Sequence, residues 1–264
     1  MGALLRFWRE RLDPHRFPGV DTGRRRLKPG LTQQEVATLT GVSVTWYRAL
    51  EGGRHAQFSE RFLQRLAVTL RLSEPERILL FQAAVGQSPT PQGPAVASGV
   101  DGGMQAFLDL LLPCPAYILD AHWNVVARNS PEEEWFDWVP YEPNTLRWIF
   151  LYPEARQRLV NWRDEWAKPA LAQLRMSIAT HPDDPELRSL QREVLSGSEE
   201  AQEIWQEKHS QIHPDGEIRQ YRLQGAEVPL MVIALAPLRN QDLRVMVLLR
   251  DWDDHPNDGA TGAP

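Results

Sequence analysis

The sequence predicts an α+β protein: an all-α unit of five helices over residues 1–86, and a second unit over residues 103–252 in which helices cover a five-stranded antiparallel sheet. Three observations carry this reading. Apolar residues recur at helical spacing, with repeated capping signals, through residues 1–86. Beyond residue 102, a pair of short runs rich in branched and aromatic residues precedes a long helical stretch, and three more such runs follow it. The formal charge of −6 is divided: residues 1–86 hold 14 Lys and Arg against 8 Asp and Glu, and residues 87–264 hold 15 against 27. The N-terminal segment suits a polyanion and the remainder repels one. Residues 87–102 contain Pro89, Pro91, Gly93, Pro94, Gly99 and Gly102 without a sustained apolar period, and read as a linker. The polar residues 253–264 read as a disordered tail.

In the first unit Leu4, Leu5, Trp8 and Leu12 mark a helix over 4–12. A Pro/Gly-rich loop, 13–30, follows and carries Arg24, Arg25, Arg26 and Lys28. These cations suit phosphates or a minor groove, unless they form an ordinary solvated loop. Thr32 and Glu35 have the spacing of a capping box and start the next helix. Ala37 presents almost no side chain and Gly41 can adopt positive φ, so that helix can turn sharply into one capped by Ser43. Val42, Tyr47 and Leu50 then fall inward, while Val44, Thr45, Arg48 and a portion of Trp46 fall outward. That outer face suits base edges, thymine methyls and phosphates in a DNA major groove, the alternative being a solvated helical hairpin. The candidate DNA contacts are Arg24, Arg25, Arg26, Thr32, Gln33, Ser43, Val44, Thr45, Trp46, Arg48 and Arg54. Helices over 59–70 and 73–85 complete the unit, the latter marked by Ser73, Pro75 and Glu76.

The second unit begins with an apolar helix over 104–112, followed by strands over 116–119 and 124–127 around a turn at 120–123. Asn129-Ser130-Pro131 and three glutamates start another helix, helical sequence fills 146–208, and strands are expected over 218–223, 228–236 and 245–249. Eight of the ten tryptophans lie beyond residue 100, more large rings than one sheet packs easily without leaving shaped space. The candidate pocket residues are Trp135, Phe136, Trp148, Ile149, Phe150, Trp162, Trp166 and Arg163, with Arg156, Arg158 or Arg175 as further partners for an acidic head group. The competing reading makes these rings core or a dimer contact.

Other chemistry finds little support. No apolar run reaches the roughly 18 residues of a membrane span, and Arg6, Arg9 and Arg11 leave no signal-peptide centre, so a cytoplasmic protein is expected. The single cysteine, Cys114, allows neither an internal disulfide nor a cysteine metal cluster. His209 and His213 have zinc-ligand spacing but no third partner, and Asp251, Asp253 and Asp254 read as a solvated end. Nucleophile-elbow, Walker and dinucleotide fingerprints are missing, so neither a catalytic nor a metal site is expected.

The stretch 32–53 resembles the helix-turn-helix of the xenobiotic-response-element family, akin to lambdoid phage repressors, and its flanks, R-R-R-x-x-P-G-L ahead of it (Arg24 to Leu31) and L-E-x-G-R at its end (Leu50 to Arg54), narrow the resemblance to MmyB-like transcription regulators. P-x-P-A-Y-I-L-D (Pro113 to Asp120), H-P-D-D-P-E-L (His181 to Leu187) and S-x-E-A-Q-E-I-W (Ser198 to Trp205) carry the resemblance of the second unit to the ligand-binding domain of those regulators. Where such relatives usually carry Trp-Asn, this chain has Arg128-Asn129. The resemblance implies a PAS-like ligand-binding domain over about residues 104–251 and a ligand-responsive regulator of transcription. The expected partners are double-stranded DNA, a small apolar and fatty-acid-like ligand, and a second copy on a pseudo-palindromic site; no cofactor and no membrane are expected. The alternatives are a haem- or flavin-dependent redox sensor or enzyme, with His122 as a candidate haem ligand, and a C-terminal domain that only dimerises.

Overall fold

A computed structural model describes residues 1–17, 20, 29–53, 58–86, 100, 102–207, 216–238, 240 and 242–250, apart from the side chains of 132–134. The expectations placed on Arg24, Arg25, Arg26, Lys28, Arg54, His209, His213, Asp251, residues 87–99 of the linker and the tail lie outside the described residues.

The N-terminal domain contains α1 (Gly2–Glu10), α2 (Gln33–Thr40), α3 (Val44–Glu51), α4 (Glu60–Thr69) and α5 (Glu74–Val85). Local chemistry places their ends. The Glu35 backbone N–H donates to Thr32 Oγ1 at 3.2 Å and the Thr32 N–H donates to the Glu35 carboxylate at 2.6 Å, closing the expected capping box. Gly41 ends α2 in the left-handed region at φ 71°, and Ser43 caps α3 by accepting from the Trp46 N–H at 3.2 Å. Gly30, at φ 77°, lies against the backbone of Arg9 and Glu10 where any side chain would overlap it, and Leu31 N–H then reaches the Arg9 carbonyl at 3.1 Å. Leu5, Trp8, Leu31, Val36, Tyr47, Leu50, Leu63 and Leu66 form the core of this domain.

The C-terminal domain runs α6 (Gly102–Leu110), β1 (Ala116–Leu119), β2 (Val125–Arg128), α7 (Ser130–Trp135), α8 (Thr145–Leu151), α9 (Pro153–Arg158), a π-helical turn Trp162–Ala167, α10 (Lys168–Thr180), α11 (Pro185–Gly197), α12 (Glu199–Gln206), β3 (Glu217–Leu223), β4 (Ala226–Leu235) and β5 (Arg244–Leu249). The strands form one five-stranded sheet in the order β2-β1-β5-β4-β3, every neighbouring pair antiparallel. Period-two alternation divides its faces. Ala116, Ile118, Val245 and Val247 pack with Leu108 of α6, while Tyr117, Leu119, Val232, Met246 and Leu248 join the larger core beneath the other helices. Pro229 is accommodated where β4 pairs with β3 and not yet with β5, whose register begins at Met231. Asn129 holds the corner between α6 and β1: its amide donates to the Leu108 and Cys114 carbonyls and its Oδ1 accepts from the Ala116 N–H, all within 3.0 Å.

The two domains are packed together. Val68 of α4 belongs to the C-terminal core, and Gly41 lies against Pro153 at the start of α9, where an added Cβ would stand 3.2 Å from the Pro153 ring. Beside this contact is a buried ion network. Arg71, in the left-handed region at φ 49°, reaches Glu154 at 2.8 Å and Asp137 at 3.3 Å, and Arg158 reaches Glu154 at 2.9 Å and Asp137 at 2.8 Å. Arg158 also donates to the Arg16 carbonyl at 2.9 Å.

Candidate functional site

Two regions answer to the expected functions. The first is the outer surface of α2 and α3. Ser43, Thr45 and Arg48 are exposed, and Arg48 Nε donates to Gln33 Oε1 at 3.4 Å, linking the start of α2 to the middle of α3. Thr32 is exposed but engaged as the cap. Val44 and Trp46 are half-buried, and the Trp46 indole packs edge-on against Phe62 at 4.4 Å and Phe58 at 5.3 Å. These two therefore divide their surface between the core and the outer face. The end of α3 is held by a pair the sequence reading passed over: Arg9 clamps Glu51 at 3.1 and 3.2 Å and donates to the Leu31 carbonyl at 2.5 Å. Burial opposes the Glu51 charge, yet the Arg9 guanidinium holds its carboxyl below the usual value. The Glu of the L-E-x-G-R motif thus fixes α3 from below.

The second region is a cavity of about 100 Å³ between the sheet and α8, the π-helical turn and α10. Of the expected pocket residues, Phe136, Ile149 and Trp166 line it. Trp135, Trp148, Phe150 and Trp162 do not; they are core. Trp148 stacks on Trp138 at 4.1 Å, Trp135 stacks on Tyr221 at 6.1 Å, and Phe150 meets Trp162 edge-on at 5.5 Å. None of the four expected arginines reaches the cavity. Arg163 pairs with Glu203 and Glu207, Arg156 pairs with Glu200 and stacks on Trp162, Arg175 donates to the Trp205 carbonyl, and Arg158 serves the interdomain network.

The cations that line the cavity are Arg219 of β3 and Arg244 of β5. Arg219 lies over the Trp166 ring at 5.4 Å, and Arg244 lies over the Trp123 ring at 4.5 Å while donating to Ser177 Oγ at 2.9 Å. Burial pulls both guanidiniums below the usual arginine pKa. Their strand phase was the available signal: Arg219 shares a face with Tyr221, and Arg244 with Met246 and Leu248. Trp123 was also missed. It adopts φ 70°, an outlier for a bulky residue, held by Thr145, whose N–H and hydroxyl donate to its carbonyl at 3.0 and 3.2 Å. Four lining residues carry buried donors without a partner: Trp123 Nε1, Trp166 Nε1, Arg219 Nε and Arg244 Nη1. Among the described residues lining it, none carries a buried side-chain acceptor without one. The site is thus richer in unpaired donors than in acceptors.

Among the described residues no group of three His, Cys, Asp or Glu could hold a metal ion, and no helix is long and apolar enough to cross a membrane. The family model of the MmyB-like transcription regulator ligand binding domain matches residues 100–256, and a helix-turn-helix domain model matches residues 1–80. No curated protein matches the chain.

Proposed function

This chain belongs to the MmyB-like transcription regulators, DNA-binding proteins with a helix-turn-helix and a ligand-binding domain, and from that premise we propose that a fatty-acid-like carboxylic acid occupies the cavity and alters DNA binding by α2 and α3. The observation that carries the ligand class is the set of four unpartnered donors, two of them guanidinium nitrogens, in an otherwise aromatic and aliphatic wall. A carboxylate satisfies several at once, and an apolar body suits Leu119, Ile149, Val232 and Leu248. At about 100 Å³ the cavity is smaller than the roughly 300 Å³ at which small-molecule pockets begin, so an acyl chain enters only as the wall yields. Trp166 on the π-helical turn and the flexible Met246 are the side chains to move. The haem or flavin alternative draws less support, since neither His122 nor Cys114 lines the cavity. Both matched domains are those of a transcription regulator, which points away from catalysis.

The route from ligand to DNA is short. Ile149 lies on α8, α8 leads directly into α9, and Pro153 of α9 touches Gly41 in the turn between α2 and α3. A ligand that prefers one placement of α8 biases the placement of α3; tight binding without such preference changes nothing. A single α3 reads only a short site, so a second copy on a two-fold operator completes the recognition. The test is titration of saturated fatty acids and their matching alcohols, followed by tryptophan fluorescence. The acid is expected to bind and the alcohol not, and Arg244→Met or Arg219→Met to weaken the acid by about tenfold or more. Equal affinity for acid and alcohol removes the carboxylate reading.

A further inference from the structure

A separate cavity of about 260 Å³ lies where α4 meets the C-terminal domain, walled by Arg61 and Arg65 on one side and by Glu142, Arg147, Tyr152 and Glu193 on the other. Its charges are unequally engaged. Arg147 Nε is paired with Glu193 at 3.0 Å. Glu142, only 2% exposed, accepts from the Asn144 N–H at 3.1 Å and from the Tyr152 hydroxyl at 2.8 Å. Arg61 and Arg65 have no acidic partner among the described residues, and Arg65 Nε is buried without a hydrogen bond. The two stand four residues apart on one face of α4, and burial together with the Arg61 charge holds the Arg65 guanidinium below the usual arginine pKa.

Their setting is the junction between the domains. Both terminal nitrogens of Arg61 would be 2.9 Å from a Cβ built on Gly197, the last residue of α11, and Arg65 Nη1 would be 3.5 Å from one on Gly41. The exposed Arg61 and the half-buried Arg65, both lining one crevice, present two N–H forks to it, the arrangement that suits a tetrahedral oxoanion. We propose that Arg61 and Arg65 form an oxoanion site between the DNA-binding and ligand-binding domains, taking sulfate, inorganic phosphate or the phosphate group of a small metabolite. The anion bridges α4 to the C-terminal domain and so adds to the contact through which ligand and DNA are coupled. Glu142 sets its pH range. Desolvation pushes that carboxyl up to about 7, against the pull of Arg147, so the acid facing the anion is neutral below this pH and repels it above. The other charged or titratable groups around the cavity are Glu60, Glu193 and Tyr152.

Calorimetric titration with sulfate, which stays doubly charged across the range, tests this at constant ionic strength set with chloride. Saturable binding is expected, tighter at about pH 6 than at about pH 8 by roughly five-fold, and independent of pH in Glu142→Gln. Arg65→Met and, separately, Arg61→Met are expected to weaken sulfate by about tenfold or more while thermal unfolding shows them folded. Binding that chloride reproduces, or that both variants retain, overturns the site. A random-sequence DNA duplex at low salt separates the two sources of phosphate. Unchanged affinity and salt slope in Arg65→Met supports a free anion; a slope reduced by about one places a DNA phosphate on Arg65 and overturns the proposal.

Discussion

Glu142 shows how one buried side chain makes stability depend on pH. Its carboxyl is pushed up from 4.5 to about 7 by desolvation, with Arg147 and the Tyr152 hydroxyl pulling the other way. The folded protein therefore holds this proton more tightly than the unfolded chain, and stability falls as pH rises from about 4.5 to about 7, then levels. The full effect is on the order of 3 kcal/mol. Urea denaturation at successive pH values is expected to show wild type losing ground to Glu142→Gln through this window and holding a constant difference above it. A difference that does not vary with pH would mean that Glu142 ionises normally. Glu76 works in the opposite sense. The Arg11 guanidinium holds it down to about 2, so its contribution is present above the usual carboxylate range and disappears only as pH falls towards 2.

At the scale of an element, α3 is a short helix whose position is fixed almost entirely from outside itself. Ser43 caps its start, Tyr47 and Leu50 bury its inner side, Trp46 wedges it against Phe62, and the Arg9–Glu51 clamp closes its end. Thr45 and Arg48 remain exposed on its outer side. In a binding assay on a selected operator, Thr45→Ala and Arg48→Ala are expected to lose about 1 to 3 kcal/mol of preference for the operator over random DNA. Retained preference in both would place the reading surface elsewhere. The Arg9→Met change acts differently: it leaves the buried Glu51 with only the longer contact to Arg6 at 3.5 Å, and is expected to cost about 3 kcal/mol of stability by thermal or urea unfolding.

The whole molecule is organised by the junction between its domains. Arg71 on one side and Glu154, Arg158 and Asp137 on the other are nearly excluded from water; burial opposes both guanidinium charges, and Glu154 with Asp137 at Arg71, and Tyr221 with the same two acids at Arg158, hold their pKa values up. A flexible tether would let the domains move freely; this junction instead opposes separation. Arg71→Met removes the cation that the N-terminal domain contributes to the network and is expected to destabilise by about 2 to 4 kcal/mol, with a smaller loss for Arg71→Lys. If the junction couples the cavity to α3, Arg71→Met also reduces the effect of bound carboxylic acid on DNA affinity while leaving the affinity for the acid itself unchanged. An unaltered ligand effect would separate stability from signalling.

Local chemistry was sufficient for much of the chain: capping boxes at Thr32 and Ser73 and Gly41 marked the N-terminal helices, and branched and aromatic runs marked all five strands within a few residues, whereas the helices α8 to α12 were legible only as one helical stretch over 146–208. These signals are legible because they depend on neighbours in sequence. The helix-turn-helix was legible for the same reason, being built from a single stretch. The cavity was not. Which tryptophans stack in the core and which line a space depends on residues tens to more than a hundred positions apart, so helical spacing could not separate Trp148 from Trp166. Arg219 and Arg244 come from strands that are not even adjacent in the sheet, brought to one cavity by its order and by side chains that point to the same face. By itself the sequence determined the strands, the N-terminal helices and the pairing of a helix-turn-helix with a second, mixed domain; tertiary packing alone decided which polar atoms were buried without a partner, because burial is a property of the assembled core.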